Sequence, residues 1–155
     1  MRVLTNKGTT PMKLPAAALL AATFAIAGCA TVPDVHPLTG TRWQLTAIDT
    51  AGSTTTLTPA LQARHTLAFA EGGALELGLD CNRGRSTWTA GKPSSGAGNI
   101  DIGPVASTRA MCPEPSFGNQ LARIAEAERY STTLDGRQLV IETPDLRFSF
   151  APQNR

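Results

Sequence analysis

Charge, histidine and aromatic side chains are all scarce in this 155-residue sequence. Charged residues make up 17%, His occurs twice, and aromatics reach 5% with a single Tyr. The formal charge of +2 excludes a chain held open by net charge. No apolar run reaches the roughly 18 to 20 residues that a membrane-spanning helix needs, which excludes an integral helical membrane protein. The only histidines that could join a cysteine in holding a metal are His36 and His65. Walker, G-x-S-x-G and H-E-x-x-H patterns are equally missing. The Gly-rich stretch Ser95-Gly96-Ala97-Gly98 neither follows a strand signal nor opens a helix, so it does not read as a phosphate cradle. No cofactor is implied.

What is present begins with an export signal. Met1 to Lys13 carries Arg2, Lys7 and Lys13 without an acid, and Leu14 to Ala27 follows as a short apolar run. The run ends in Ile26-Ala27-Gly28-Cys29, which resembles the lipobox of bacterial lipoproteins. That resemblance implies cleavage after residue 28, acylation of Cys29, and, with Ala30 rather than Asp next to it, sorting to the outer membrane with the domain facing the periplasm. Several acyl chains at about 0.8 kcal/mol per buried CH₂ suffice for stable anchoring. Removing residues 1–28 takes three of 14 basic residues and none of 12 acidic ones, leaving eleven against twelve. That balance gives no nucleic-acid footprint. Residues 29–40 then read as the lipidated Cys and a Pro-containing tether, roughly 30 Å long if extended, with His36 as a solvated tether histidine. The folded domain is expected over 41–151, as a monomer.

From Thr41 onward the apolar pattern has period two. Trp43, Leu45 and Ala47 share one phase, as do Leu67 and Phe69, then Leu75, Leu77 and Leu79, then Leu139 and Ile141, then Leu146, Phe148 and Phe150. Turn signals separate these runs: Glu71-Gly72-Gly73, Asp135-Gly136 and Thr143-Pro144-Asp145. Short strands with short turns predict an antiparallel meander. One segment has helical spacing, with Phe117, Leu121, Ile124 and Glu128 at i, i+4, i+7 and i+11. It predicts an amphipathic helix over 116–129, capped by Ser116 and laid on the sheet. Ala90 to Asn99 has no core candidates and reads as a loop. His65 shares the phase of Leu67 and points inward or lies at an edge.

With Cys29 lipidated, Cys81 and Cys112 remain. In an oxidising compartment an even pair reads as a disulfide, closing a loop of about 32 residues worth roughly 3–4 kcal/mol. A metal pair would need more soft ligands, of which only His36 and His65 exist, and a redox-active pair more usually has the C-x-x-C spacing, absent here. Phase places Cys81 inward with Leu75, Leu77 and Leu79, and Asp80 and Asn82 outward.

Several of these residues fall into a longer pattern. Gly40-Thr41-Arg42-Trp43-Gln44-Leu45, then Asp80-Cys81-Asn82-Arg83-Gly84 with Trp88, then Ile102-Gly103-Pro104-Val105-Ala106-Ser107-Thr108-Arg109-Ala110-Met111-Cys112, then Leu121, Tyr130 and Leu139 resemble the META domain, the HslJ-like bacterial lipoprotein family. The likeness implies an α+β domain, an antiparallel, barrel-like β-sheet meander with a single α-helix. It also implies a role in the envelope tied to heat shock and novobiocin tolerance, and no defined reaction. Asp80 and Ser86 stand where many members have Gly, so the turn after Cys81 is expected to differ locally.

The candidate binding patch is Asp80, Asn82, Arg83, Thr108 and Arg109, for a peptide, a glycan or a small molecule. Against it stands a surface ion pair between Asp80 and Arg109, worth at most about 1 kcal/mol, with Asn82 serving turn geometry. No catalytic residue is assigned, since Glu126 and Glu128 point to different helix faces. The expected function is a non-enzymatic, stress-linked binding or scaffolding lipoprotein. A second reading is an inhibitor or pilot-type binder of another envelope protein through an exposed strand edge. A hydrolase has the least support.

Overall fold

A computed structural model of the chain describes Gly8 and residues 35–153. The signal segment (apart from Gly8), Cys29 and residues 30–34 of the expected tether lie outside the described residues. In chain order the elements are β1 (Arg42–Thr50), β2 (Ser53–Thr56), α1 (Pro59–Gln62), β3 (His65–Phe69), a 3₁₀ turn (Glu71–Gly73), β4 (Ala74–Leu79), β5 (Asn82–Ala90), β6 (Ala97–Ile102) and β7 (Ala106–Ser107). There follow α2 (Gly118–Ala122), a 3₁₀ turn (Arg123–Glu126), β8 (Arg129–Thr132), β9 (Leu139–Glu142) and β10 (Arg147–Pro152). No helix among the described residues is long and apolar enough to cross a membrane.

The strand order β10-β9-β8-β6-β5-β4-β3-β1, closed by pairing of β10 with β1, makes an antiparallel eight-stranded barrel. β2 hangs from β1 and β7 from β5. Closure follows from the alternation: one face of every strand is apolar, and rolling the sheet buries all those faces in one interior. Leu45, Leu67, Leu75, Leu139, Ile141 and Phe148 are each at most 1% exposed. Phe69 and Trp88 meet edge to face at 4.9 Å. Side chains therefore fill the lumen, as expected for a small barrel.

Three sequence expectations need correction. A bulge between Leu45 and Ala47 shifts the register against β10, so Ile48 and not Ala47 continues the buried face. The helix is not 116–129: only Gly118–Ala122 is α-helical, Phe117 and not Ser116 holds the N-cap position, and no side chain caps it. Leu121 and Ile124 do reach the core, both fully buried. Glu128 lies outside the helix because strand pairing claims it: its N–H donates to Glu142 O at 2.9 Å, and its carbonyl accepts Ile100 N–H at 3.1 Å. The third correction concerns the tether. The folded unit starts before Thr41, with a turn over residues 37–40 that buries Leu38 to 1% exposure and sends Gly40 N–H to Phe69 O.

His36 is accordingly no solvated tether residue. Its Nδ1 accepts Leu38 N–H at 3.2 Å, and its Nε2–H faces Tyr130 Oη at 2.9 Å and Gly91 O at 3.1 Å. Its ring stands edge-on to both Trp88 and Tyr130. Gly98 makes room for this cluster, since a Cβ there would sit 2.9 Å from the Tyr130 ring. The expected 90–99 loop is thus trimmed at both ends, with β5 running to Ala90 and β6 starting at Ala97.

Candidate functional site

Leu79 pairs with Asn82 across a two-residue turn, so Asp80 and Cys81 form the tip of the β4–β5 hairpin. A tip residue no longer follows strand phase, and both orientations expected for this pair are reversed. Cys81 is exposed, whereas the Asp80 side chain is fully buried. Asp80 has φ 66°, in the left-handed region where Gly is at ease and Asp is tolerated. Its N–H donates to Arg64 O at 2.9 Å, and its Oδ1 lies 2.6 Å from Arg64 Nη1. The ion pair is close but poorly aligned, and neither carboxylate oxygen has a hydrogen bond of good geometry. The partner of Asp80 is therefore Arg64, not Arg109.

The Asn82 amide makes four bonds of 3.3 Å or shorter. Its Oδ1 accepts Ala110 N–H at 2.7 Å and the Thr108 hydroxyl at 2.9 Å. Its Nδ2 donates to Ala110 O at 2.9 Å and to Cys112 Sγ at 3.3 Å. Thr108 also exchanges bonds with Arg83, its N–H reaching Arg83 O and its Oγ1 accepting Arg83 N–H, each at 3.1 Å. With β7 paired to Gly84 and Arg85, residues 106–110 form a strap laid along β5. The disulfide joining Cys81 to Cys112 (Cα–Cα 5.6 Å) closes its far end.

Of the five patch residues, the structure brings Asn82, Arg83 and Thr108 into one network and turns Asp80 away from it. Arg109 is exposed on the strap, with no ion-pair partner among the described residues. A polar recess of about 200 Å³ opens beside the network, walled by Asn82, Thr108, Met111, Cys112, Glu114 and Asn119. Met111 is 98% exposed at its lip. Sequence reasoning missed Arg64 and Met111; a Met lacks any periodic signal in a loop, and Arg64 is sixteen positions from its partner.

His65 lies below the hairpin and is fully buried. Its Nδ1 donates to Leu61 O at 2.7 Å and its Nε2 accepts Phe117 N–H at 3.1 Å, which defines the neutral Nδ1–H tautomer. It seats the start of α2 on the barrel. Gly118 completes that contact, because a Cβ there would stand 2.6 Å from Leu79 O. Both ring nitrogens are occupied, so His65 is a positioned structural group. Burial raises the phenol of Tyr130 above its ordinary range. Among the described residues no group of three or more His, Cys, Asp and Glu is placed to hold a metal.

The META domain family model matches residues 36–154. No curated protein matches the chain. Among solved structures, the chain is similar to a protein from Burkholderia xenovorans determined by NMR, with 20% identity, TM-score 0.59, and coverage of 81% of this chain and 94% of that one. It is also similar to a DUF4847 family protein from Bacteroides vulgatus ATCC 8482, with 12% identity, TM-score 0.50, and coverage of 75% and 94%. At these identities the likeness speaks for the fold alone.

Proposed function

The chain belongs to the META domain family, and on that premise we propose that it is a non-enzymatic lipoprotein, anchored through Cys29 to the outer membrane and facing the periplasm. Its role is that of a stress-linked binding or scaffolding module, of the heat-shock and novobiocin-tolerance kind. The observation that carries this reading is the use made of the polar patch. Asn82, Thr108 and the cysteines act as fasteners for the strap, while the barrel interior is packed with side chains. Recognition is left to the outer rim, where Arg83, Arg109, Met111 and Glu114 are exposed. The Ile26-Ala27-Gly28-Cys29 string supports the anchor. Fractionation of cells expressing Cys29→Ser tests it: release from membranes is expected, and unchanged membrane association refutes it. Crosslinking in intact cells from the Met111 position tests the rim, and a profile identical to that of the anchor alone counts against it.

A second reading, an inhibitor or pilot-type binder that pairs with another envelope protein, draws on β2. Although the barrel is closed, β2 pairs with β1 alone, and all four of its residues are exposed. Such an edge can accept a further strand. Leu57 N–H donates to β1 at Thr46 O, so by alternation the Thr56 N–H points to the open edge. Thr56→Pro removes it and is expected to abolish partner capture if this edge is used.

A further inference from the structure

We propose that the Cys81–Cys112 bond is a thiol-exchange site with a fixed direction, in which an incoming thiolate attacks Cys81 Sγ and Cys112 leaves as the thiolate. Two N–H groups, the backbone of Cys81 and Nδ2 of Asn82, point at Cys112 Sγ, each at 3.3 Å. Cys81 Sγ receives Asn82 Nδ2 only at 3.8 Å. Hydrogen-bond donors stabilise the anionic form of the atom they face, and exchange runs fastest through the sulfur that leaves as the more stable anion. Access agrees with polarity, since Cys81 is exposed at the hairpin tip and Cys112 is half-buried. The carboxylates closest in sequence are engaged elsewhere, Asp80 with Arg64 and Glu114 with Ser116 N–H.

The step balances without further reagents. The entering sulfur bonds to Cys81 Sγ, the Cys81–Cys112 bond breaks, and its electron pair remains on Cys112. The entering thiol is oxidised into a mixed disulfide at Cys81, and Cys112 is reduced. Return of the Cys112 thiolate onto Cys81 expels the thiol again and restores the original bond. The strap stays docked while the bond is open, because its bonds from Ala110 and Thr108 to Asn82 and Arg83 do not pass through sulfur. Both donors therefore remain in place around the released thiolate.

Reduced glutathione serves as the probe thiol, added to the full chain carrying Cys29→Ser, followed by acid quenching, alkylation and peptide mass spectrometry. The glutathione adduct is expected on Cys81 over Cys112 by about tenfold. Equal labelling, or a majority on Cys112, overturns the proposal. Asn82→Asp keeps the Oδ1 acceptor and removes the Nδ2 donor, so the bias is expected to fall several-fold; an unchanged bias removes Asn82 from the mechanism. Single-thiol chains supply a measurement independent of that variant's folding. At neutral pH, Cys112 in Cys81→Ser is expected to alkylate about tenfold faster than Cys81 in Cys112→Ser, and the reverse order refutes the assigned direction.

Discussion

Asn82 holds Ala110 as a neighbouring strand would, accepting its N–H at 2.7 Å and donating to its carbonyl at 2.9 Å. One side-chain amide thus replaces a ladder step where the strap leaves β7, and the disulfide fastens the same place a second time. The two fastenings are predicted to be redundant. With the disulfide intact, Asn82→Ala should cost about 1 kcal/mol. In the chain with both Cys81→Ser and Cys112→Ser, the same change should release the strap. Trypsin cleavage after Arg109 reads this directly: slow in either background alone, fast in the combination. Equal acceleration in all three would show that loss of either fastening alone releases the strap, and would contradict the redundancy.

The tip of the hairpin combines a backbone conformation suited to Gly with a buried acid. Asp80→Gly relieves the left-handed strain, and Asp80→Ala does not, so the Gly variant should be the more stable by about 1 kcal/mol. Arg64→Ala leaves the buried carboxylate without its cation and should cost about 2 kcal/mol, less than a fully buried pair because Arg64 is 42% exposed. Adding Asp80→Gly to Arg64→Ala should recover most of that loss in urea unfolding. Additive losses in the double variant would contradict the pairing.

His65→Ala removes a buried ring, the donor to Leu61 O and the acceptor for Phe117 N–H. A loss of about 3 kcal/mol is expected in denaturant unfolding. The sharper readout is hydrogen exchange at the Phe117 amide, whose protection should disappear while β9 amides stay protected relative to global stability. Retained protection at Phe117 would mean that α2 is seated by Gly118 and Leu121 alone.

The single Tyr of the chain makes its alkaline titration readable by phenolate absorbance. Burial raises the Tyr130 phenol above the ordinary value of about 10. The folded state therefore holds this proton more tightly than the unfolded one. The stability linked to it is fully present below about pH 10 and is lost as pH rises through the folded value. Removing the His36 ring in His36→Ala opens one side of the phenol and should move the midpoint back toward 10. Identical midpoints in both proteins would separate His36 from Tyr130.

Period-two alternation made five of the eight barrel strands legible, since Leu75-x-Leu77-x-Leu79 and Phe148-x-Phe150 need one buried face whatever they pair with. Register did not follow from it. The bulge after Leu45 exists because β1 must match β10 on one side and β3 on the other, a condition visible only once the ring closes. The helix was overextended because Glu128 falls on the apolar stripe by spacing while strand pairing takes its backbone. β8 stayed hidden because Tyr130 is its one large apolar residue. In the site, phase failed at Asp80 and Cys81 because the chain reverses there. The His36 cluster was beyond local pattern altogether, its contacts to Gly91 and Tyr130 spanning 55 and 94 positions.

The antiparallel register also gives the barrel two unlike poles. Gly40 enters beside Phe69, and Gln153 leaves beside Arg42, whereas the cysteine hairpin lies past His65 and Leu79 at the other end of the same strands. Entry and exit share one pole, so a fusion added after Gln153 would emerge next to the incoming segment. Anything tethered from that side would carry the sulfur-bearing tip as its distal surface, the part first met by whatever approaches.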